Sequence, residues 1–214
     1  LDQQDPFEIG DPFPILQKKD KRITRRIVQS DPVYAAMIKA LDDSVGQLMA
    51  TLKAEGLDED TIVIFTSDNG GLATAEHSPT CNFPLSEGKG WMYEGAVREP
   101  LFVRWPGKIE AGSTALTTIP DFYPTLLELC CVPLRPQQHC DGVSLAPVLL
   151  NPQAKFDRGP IFWHYPHYGN QGGTPGSALR CGKWKYIEFY EDHSVRLFDL
   201  EQDVSEKHNV AEVH

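Results

Sequence analysis

The sequence lacks any apolar run approaching the ~20 residues of a membrane-crossing helix, and residues 1–30 are too polar to read as a secretory leader. It is also short of positive charge, with 20 Lys and Arg against 30 Asp and Glu and a formal net charge of −10. That balance excludes the basic footprint of a nucleic-acid-binding protein. Any anionic ligand must therefore be held by a local cationic site against an unfavourable overall field. Cysteine is sparse: Cys81, Cys130, Cys131, Cys140 and Cys181 match no zinc spacing, and an odd number does not close into a disulfide framework. Adjacent Cys130 and Cys131 read as buried apolar fillers, and the redox compartment stays open. Repeats and low-complexity tracts are absent.

What remains is ordinary globular composition, 41% hydrophobic and 23% charged over 214 residues, enough for one large domain or one domain and a small appendage. Residues 1–26, with Pro6, Pro12 and Pro14 and no sustained period, read as a connector. A helix follows, with Asp31 as its cap, Pro32 in the first position and an apolar stripe of Tyr34, Met37, Ile38, Leu41, Val45, Leu48 and Leu52. Gly56 supplies a left-handed stop. Strands are expected at Thr61–Thr66 and Pro100–Trp105, the first reading as fully buried, and short helices at 121–131 and from Ser144. Residues 156–176, rich in Gly, Pro and aromatics, read as a long loop. Antiparallel strands follow through "SALRCGKWKYIEFY" and "SVRLFDL", with a tight turn at Cys181-Gly182, and then a terminal helical turn. A boundary is placed after residue 151, giving an α/β part over 1–151 and a small antiparallel α+β subdomain over 152–214.

The strand "TIVIFT" ends in Ser67-Asp68-Asn69-Gly70-Gly71. In open α/β sheets ligands sit at such strand ends, and Asp68 and Asn69 offer the oxygen ligands that hard cations take, though fewer than Ca²⁺ requires. The alternative is an Asp-Asn-Gly turn with positive φ at Asn69 or Gly70. Further on, "PLSEGKGWMYEGAVREP" sets Lys89 between Gly88 and Gly90, where backbone can approach a ligand while an ammonium meets an oxyanion. The alternative there is a solvated lysine on a flexible loop.

Taken in order, "YAAMIKALDDSVGQLMATLKAEGLDEDTIVIFTSDNGG", "PLSEGKGWMYEGAVREPLFVRWPG", "DFYPTLLEL", "DGVSLAPVLL" and the tail "FWHYPHY…RLFDLEQDVSEKHNVAE" resemble the arylsulfatase-like sulfatases of the alkaline-phosphatase-like superfamily. The resemblance runs from about Tyr34 to the end. It implies the C-terminal part of an alkaline-phosphatase-like α/β sandwich plus the small α+β subdomain. It further implies Asp68 and Asn69 as ligands of an active-site Ca²⁺ (or Mg²⁺) and Lys89 as the sulfate-binding catalytic cation. Sulfate esters, particularly of carbohydrates, are the implied substrates, with periplasmic, secreted or lysosomal residence. Glu87 stands where the family has a basic residue, which weakens anion affinity, and Ala96 replaces a glycine.

The resemblance also implies a formylglycine nucleophile within C/S-x-P-S/A-R, upstream of the Asp-Asn-Gly strand. Residues 1–60 contain neither Cys nor His, and the motif is not found. The loose match "CVPLR", Cys131–Arg135, has Leu134 at the small position and no following Thr-Gly, and is rejected. The chain is thus read as a truncation, a fragment or one piece of a split enzyme, inactive alone, prone to association, and a partner for the missing N-terminal half. His164 and His167 in "WHYPHY" are candidate substrate contacts, against a packed aromatic cluster as the alternative. His77 reads as solvated, and Arg98 as pairing with Glu94. Two other functions stay open: a phosphoesterase or phosphonate hydrolase of the same superfamily, and a non-catalytic module that binds calcium or a partner.

Overall fold

A computed structural model describes residues 7–12, 22–74, 77–112 and 115–214, the first stretch by its backbone. Among them no helix is long and apolar enough to cross a membrane. Helices and strands mix in two compact units, one comprising Leu1–Asp43, Thr66–Pro100 and Pro160–His214, the other Ser44–Phe65 and Leu101–Gly159.

Two described stretches of the expected connector are strands. β1 (Phe7–Pro12) pairs antiparallel with β2 (Arg22–Arg26), Phe7 opposite Arg26 and Ile9 opposite Thr24, with the register shifting before Pro12. A proline that cannot donate is accommodated at such a shift, which is why the prolines concealed the strand. Helix α1 (Pro32–Ala54) starts as expected, with the Tyr34 N–H donating to Asp31 Oδ1 at 2.9 Å. It ends in a full Schellman motif: Gly56, at φ +68°, donates to the Lys53 carbonyl at 3.2 Å and Leu57 to that of Leu52 at 2.9 Å. Of the apolar stripe, Tyr34, Val45 and Leu52 are half-buried while Met37, Ile38, Leu41 and Leu48 are exposed.

In the second unit, β3 (Val63–Thr66) continues into the first unit at Thr66 and pairs with β4 (Leu101–Arg104) as a two-stranded sheet. Two strands cannot bury both faces, so Phe65 is exposed and the expected full burial of Thr61–Thr66 does not hold. Arg104 grips Asp58 through two bonds of 2.9 and 3.0 Å. Helices α3 (Phe122–Leu129) and α4 (Ala146–Leu150) are organised by the fully buried Asp121, which accepts from the amides of Thr118 and Val143 and from Arg158 Nε at 2.7 Å. Hydrogen bonds from Arg158, Val143 and Thr118 outweigh burial and hold its carboxyl below the usual range. Cys130 and Cys131 are exposed rather than buried. They lie past the last buried residue of α3, with Cys131 in the left-handed stop position at φ +55°.

The first unit is built on a four-stranded antiparallel sheet, β5 (Ile161–Tyr165), β6 (Gly176–Cys181), β7 (Trp184–Phe189) and β8 (Val195–Asp199), in sequential order. β5 falls inside the stretch expected to be loop. Its alternation is real, with Ile161, Trp163 and Tyr165 on the covered side and Phe162 and His164 exposed, but the flanking Gly and Pro masked it. Register places Trp163 beside Ala178 and Ala178 beside Ile187, so these share the inner face. That face packs on Trp91, Met92, Tyr93 and Ala96. The Cys181-Gly182 turn forms as expected, with Gly182 at φ +55°. No helix forms after Asp199: Asp203 and Asn209 side chains take the amides of His208, Leu197 and Ala211, which competes with helical bonding.

Within this core lies a buried ionic cluster. Glu94, at the start of α2 (Glu94–Val97), accepts from Lys185 Nζ at 2.9 Å and Arg180 Nη1 at 3.1 Å, and Lys185 sits 4.8 Å from the centre of the Trp163 ring. Glu206 is buried nearby, and desolvation pushes its carboxyl up to about 8, aided by the Glu94 and Asp203 charges and opposed by Lys185. Its folded pKa is raised above the unfolded value, so between about 4.5 and about 8 the folded state binds more protons and stability falls as pH rises. Replacing Glu206 with Gln is expected to flatten this decline, read as the denaturation midpoint in urea measured from pH 5 to 8.5.

Candidate active site

The candidate site begins where β3 ends. The Thr66 hydroxyl donates to the Pro100 carbonyl at 2.9 Å, and Ser67 Oγ donates to the Asn69 carbonyl at 2.9 Å, bending the chain. Asp68 is exposed and Asn69 half-buried. Neither Asn69 nor Gly70 has positive φ, so glycine is not needed there for its dihedral freedom. It is needed for closeness: a Cβ on Gly70 would lie 1.7 Å from the Gly95 carbonyl oxygen. The Gly70 N–H donates to the Ala96 carbonyl at 3.0 Å.

The Lys89 loop meets the same turn. The Lys89 N–H donates to the Gly71 carbonyl at 3.2 Å, and a Cβ on Gly88 would lie 2.1 Å from that oxygen. Asn82 Nδ2 joins the Gly71 and Glu87 carbonyls, both at 2.8 Å. Gly88 thus admits the protein's own backbone, while Gly90, at φ +89°, admits the Gln171 side chain. Lys89 itself is exposed and has no carboxylate partner among the described residues. Glu87 is neutralised: Arg25 Nε reaches its two oxygens at 2.8 and 2.9 Å. Arg98 faces Glu94 at 4.0 Å, as read from the sequence.

The donor chemistry around Asp68 suits a hard cation. Asp68 is exposed and makes no ion pair among the described residues. Burial raises the Glu99 carboxyl and the Asp68 charge raises it further, while Glu99 Oε1 is buried without a hydrogen-bond partner. An orphaned carboxylate oxygen within reach of a like charge is the situation that a cation relieves. Sequence reasoning did not pick out Glu99; its only signal was a carboxylate just before β4. The set is a partial one, since the described residues contain no cluster of three or more His, Cys, Asp or Glu able to hold a metal.

The two histidines part company. His164 lies on the outer face of the sheet, opposite the face that covers Trp91–Tyr93, with Nδ1 2.8 Å from Tyr190 Oη and 3.3 Å from Ser177 Oγ. The structure does not bring it to Lys89. His167 is exposed, edge-on to Tyr165 with ring centres 5.5 Å apart. It leads into residues 169–174, which dock on the Lys89 segment: Thr74 Oγ1 donates to the Gln171 carbonyl at 2.6 Å and Trp91 Nε1 to the same oxygen at 3.1 Å. His77 is exposed.

Among solved structures, the chain is similar to BT4656 in complex with its substrate D-glucosamine-2-N,6-O-disulfate (TM-score 0.69, 28% identity, 83% of this chain and 35% of that one). It is also similar to the phosphonate monoester hydrolase SpPMH from Silicibacter pomeroyi (TM-score 0.60, 26% identity, 80% and 34%). The chain shares the alkaline-phosphatase-like α/β fold of these structures. The Sulfatase family profile matches residues 4–131, and the profile N-sulphoglucosamine sulphohydrolase, C-terminal, matches residues 87–214. The chain belongs to the sulfatase family. It is 38% identical over 213 residues to a sulfatase of Formosa agariphila (90% of this chain, 37% of that protein). To human arylsulfatase A it is 42% identical over 154 residues (71% and 29%). The chain therefore spans 37% and 29% of the length of these two relatives, well under half of either.

Two glycines test the close approach. Gly70→Ala is expected to destabilise by ~3 kcal/mol or more, because backbone must move to admit the methyl. Gly46→Ala, in α1 with open space around it, is expected to stabilise by about 0.5–1 kcal/mol. Urea denaturation of both variants checks the contrast.

Proposed function

We propose that this chain contributes the cation- and sulfate-binding elements of a sulfuric ester hydrolase that acts on sulfated carbohydrates. The observation that carries this reading is the hydrogen bond from Lys89 to Gly71, two residues from Asn69, with the ammonium left unpaired among the described residues. Lys89 binds a sulfate oxygen and offsets the negative charge that builds on it as the S–O bond breaks, from a position already fixed by its backbone. Asp68 and Asn69 would hold Ca²⁺ or Mg²⁺, with the Glu99 carboxyl facing the same charge; when bound, the ion supplies fixed positive charge to the ester group. Neutralisation of Glu87 by Arg25 removes the repulsion that its carboxylate would otherwise direct at the anion.

The nucleophile comes from outside these residues, as formylglycine in a C/S-x-P-S/A-R segment. Cys131 does not replace it, since Leu134 stands at the small position of its segment and no Thr-Gly follows. His167 is the candidate sugar contact, presented by the segment that docks beside Lys89. A carbohydrate substrate is supported by the disulfated glucosamine of BT4656 and by 37% identity over 155 residues to mouse N-acetylgalactosamine-6-sulfatase. The likeness to a phosphonate monoester hydrolase supports a second reading, hydrolysis of phosphonate esters on the same scaffold.

In a protein that carries this chain together with a formylglycine segment, Lys89→Ala is expected to lower kcat/KM for a sulfated sugar by about 10²–10³-fold at unchanged thermal midpoint. An undiminished rate would overturn the role of Lys89, and faster turnover of an aryl phosphonate than of any sulfate ester would favour the second reading. The purified 214-residue chain alone is expected to give no turnover, and little calorimetric heat with micromolar Ca²⁺.

A further inference from the structure

The Lys89 loop has a closed neck. The Gly95 N–H donates to the Ser86 carbonyl at 2.8 Å, so residues 86–95 form a ring of backbone with Lys89 inside it. The same neck touches the Asp68-Asn69 turn, through the Gly95 carbonyl against Gly70 and the Ala96 carbonyl accepting the Gly70 N–H. Two hydrogen bonds reach this neck from the C-terminal tail, across more than a hundred residues of sequence. Ser86 Oγ donates to the Ser205 carbonyl at 2.6 Å, and the Glu94 N–H donates to Glu206 Oε2 at 2.8 Å.

Glu206 is poorly suited to be a mere filler. It is buried, its second oxygen Oε1 has no hydrogen-bond partner, and its backbone lies at φ +50°, a conformation that non-glycine residues rarely adopt. Burying a carboxyl half-satisfied in strained backbone is costly, and an apolar residue would cover the same space without the penalty. What the carboxyl adds is the bond to the Glu94 amide. The Glu94 side chain is fully engaged elsewhere, by Lys185, Arg180 and Arg98, so only its backbone is left for the tail to hold. We propose that Glu206, assisted by Ser205, is a positioning residue that clamps the neck of the Lys89 loop and so keeps the lysine in register with the Asp68-Asn69 turn. The functional weight of this clamp rests on the reading of Lys89 given above; the clamp itself is a property of the loop.

Amide hydrogen exchange on the 214-residue chain tests it. Glu206→Ala is expected to speed exchange of the Glu94 and Gly95 amides at least tenfold relative to the amides of Ala178 and Ile187 in β6 and β7. Glu206→Gln, whose carboxamide oxygen accepts the same bond, is expected to stay within about threefold of the parent. Ser86→Ala, which removes only the second bond, is expected to speed Gly95 several-fold, and it decides the matter if Glu206→Ala does not fold. Unchanged exchange at Glu94 and Gly95, an equal rise in β6 and β7, or failure of Gln to rescue would each overturn the clamp. Lys89→Ala is expected to leave all these rates alone, so a failed sulfate reading, seen only in turnover, is distinguishable from a failed clamp. Faster exchange in Lys89→Ala would itself count against the tail as what holds the neck.

Discussion

Burial of the Glu94 carboxylate between Lys185 and Arg180 constrains everything around the candidate site. A single carboxylate in a dry core is untenable unless it is paired and hydrogen-bonded, and here the two cations come from adjacent strands at directly opposed positions, Arg180 and Lys185. The pairing ties the start of α2 to the inner face of the sheet. Because Trp91, Met92 and Tyr93 immediately precede Glu94 and fill the same core, the lysine loop cannot slide over the sheet without unpairing a charge. Lys89 can therefore stay solvent-exposed while its backbone stays fixed, which is the combination that electrostatic stabilisation requires.

Around that anchor the chain folds back on itself in an order unlike its sequence. The segment after β3, the lysine loop and the tail beyond β8 belong to one unit, whereas the residues between β4 and β5 form another. The antiparallel sheet is thus more than an appendage to an α/β part. Its inner face is the floor on which the lysine loop rests, and its outer face, with His164, Ser177 and Tyr190 in mutual contact, faces away from that floor.

Much of this was legible from residues alone where a local rule fixes the outcome. The cap at Asp31, the stop at Gly56, the turn at Gly182 and the pairing of Arg98 with Glu94 each depend on neighbours within a few positions. Asp68, Asn69 and Lys89 stand out as candidates because oxygen donors after a buried-looking strand and a lysine between glycines are chemically distinctive. Most of the misses come from contacts distant in sequence. β1 carries a glycine and a proline and β5 is flanked by them, and only their partners reveal both as strands. The terminal segment had helical composition, but Asp203 and Asn209 spend their side chains on backbone amides. Glu99 and Glu206 drew no notice in the sequence, and nothing local told that Glu206 would be buried or that one Glu99 oxygen would be.

Gly70 carries a consequence for how such a site can change over time. With the neighbouring carbonyl where a first carbon would stand, position 70 has no graded series of substitutions: the smallest possible side chain is already too large. Drift at this residue is therefore closed unless the chain at 95 and 96 is rebuilt in the same step, so the turn that presents the oxygens and the loop that presents the ammonium must be inherited as one piece.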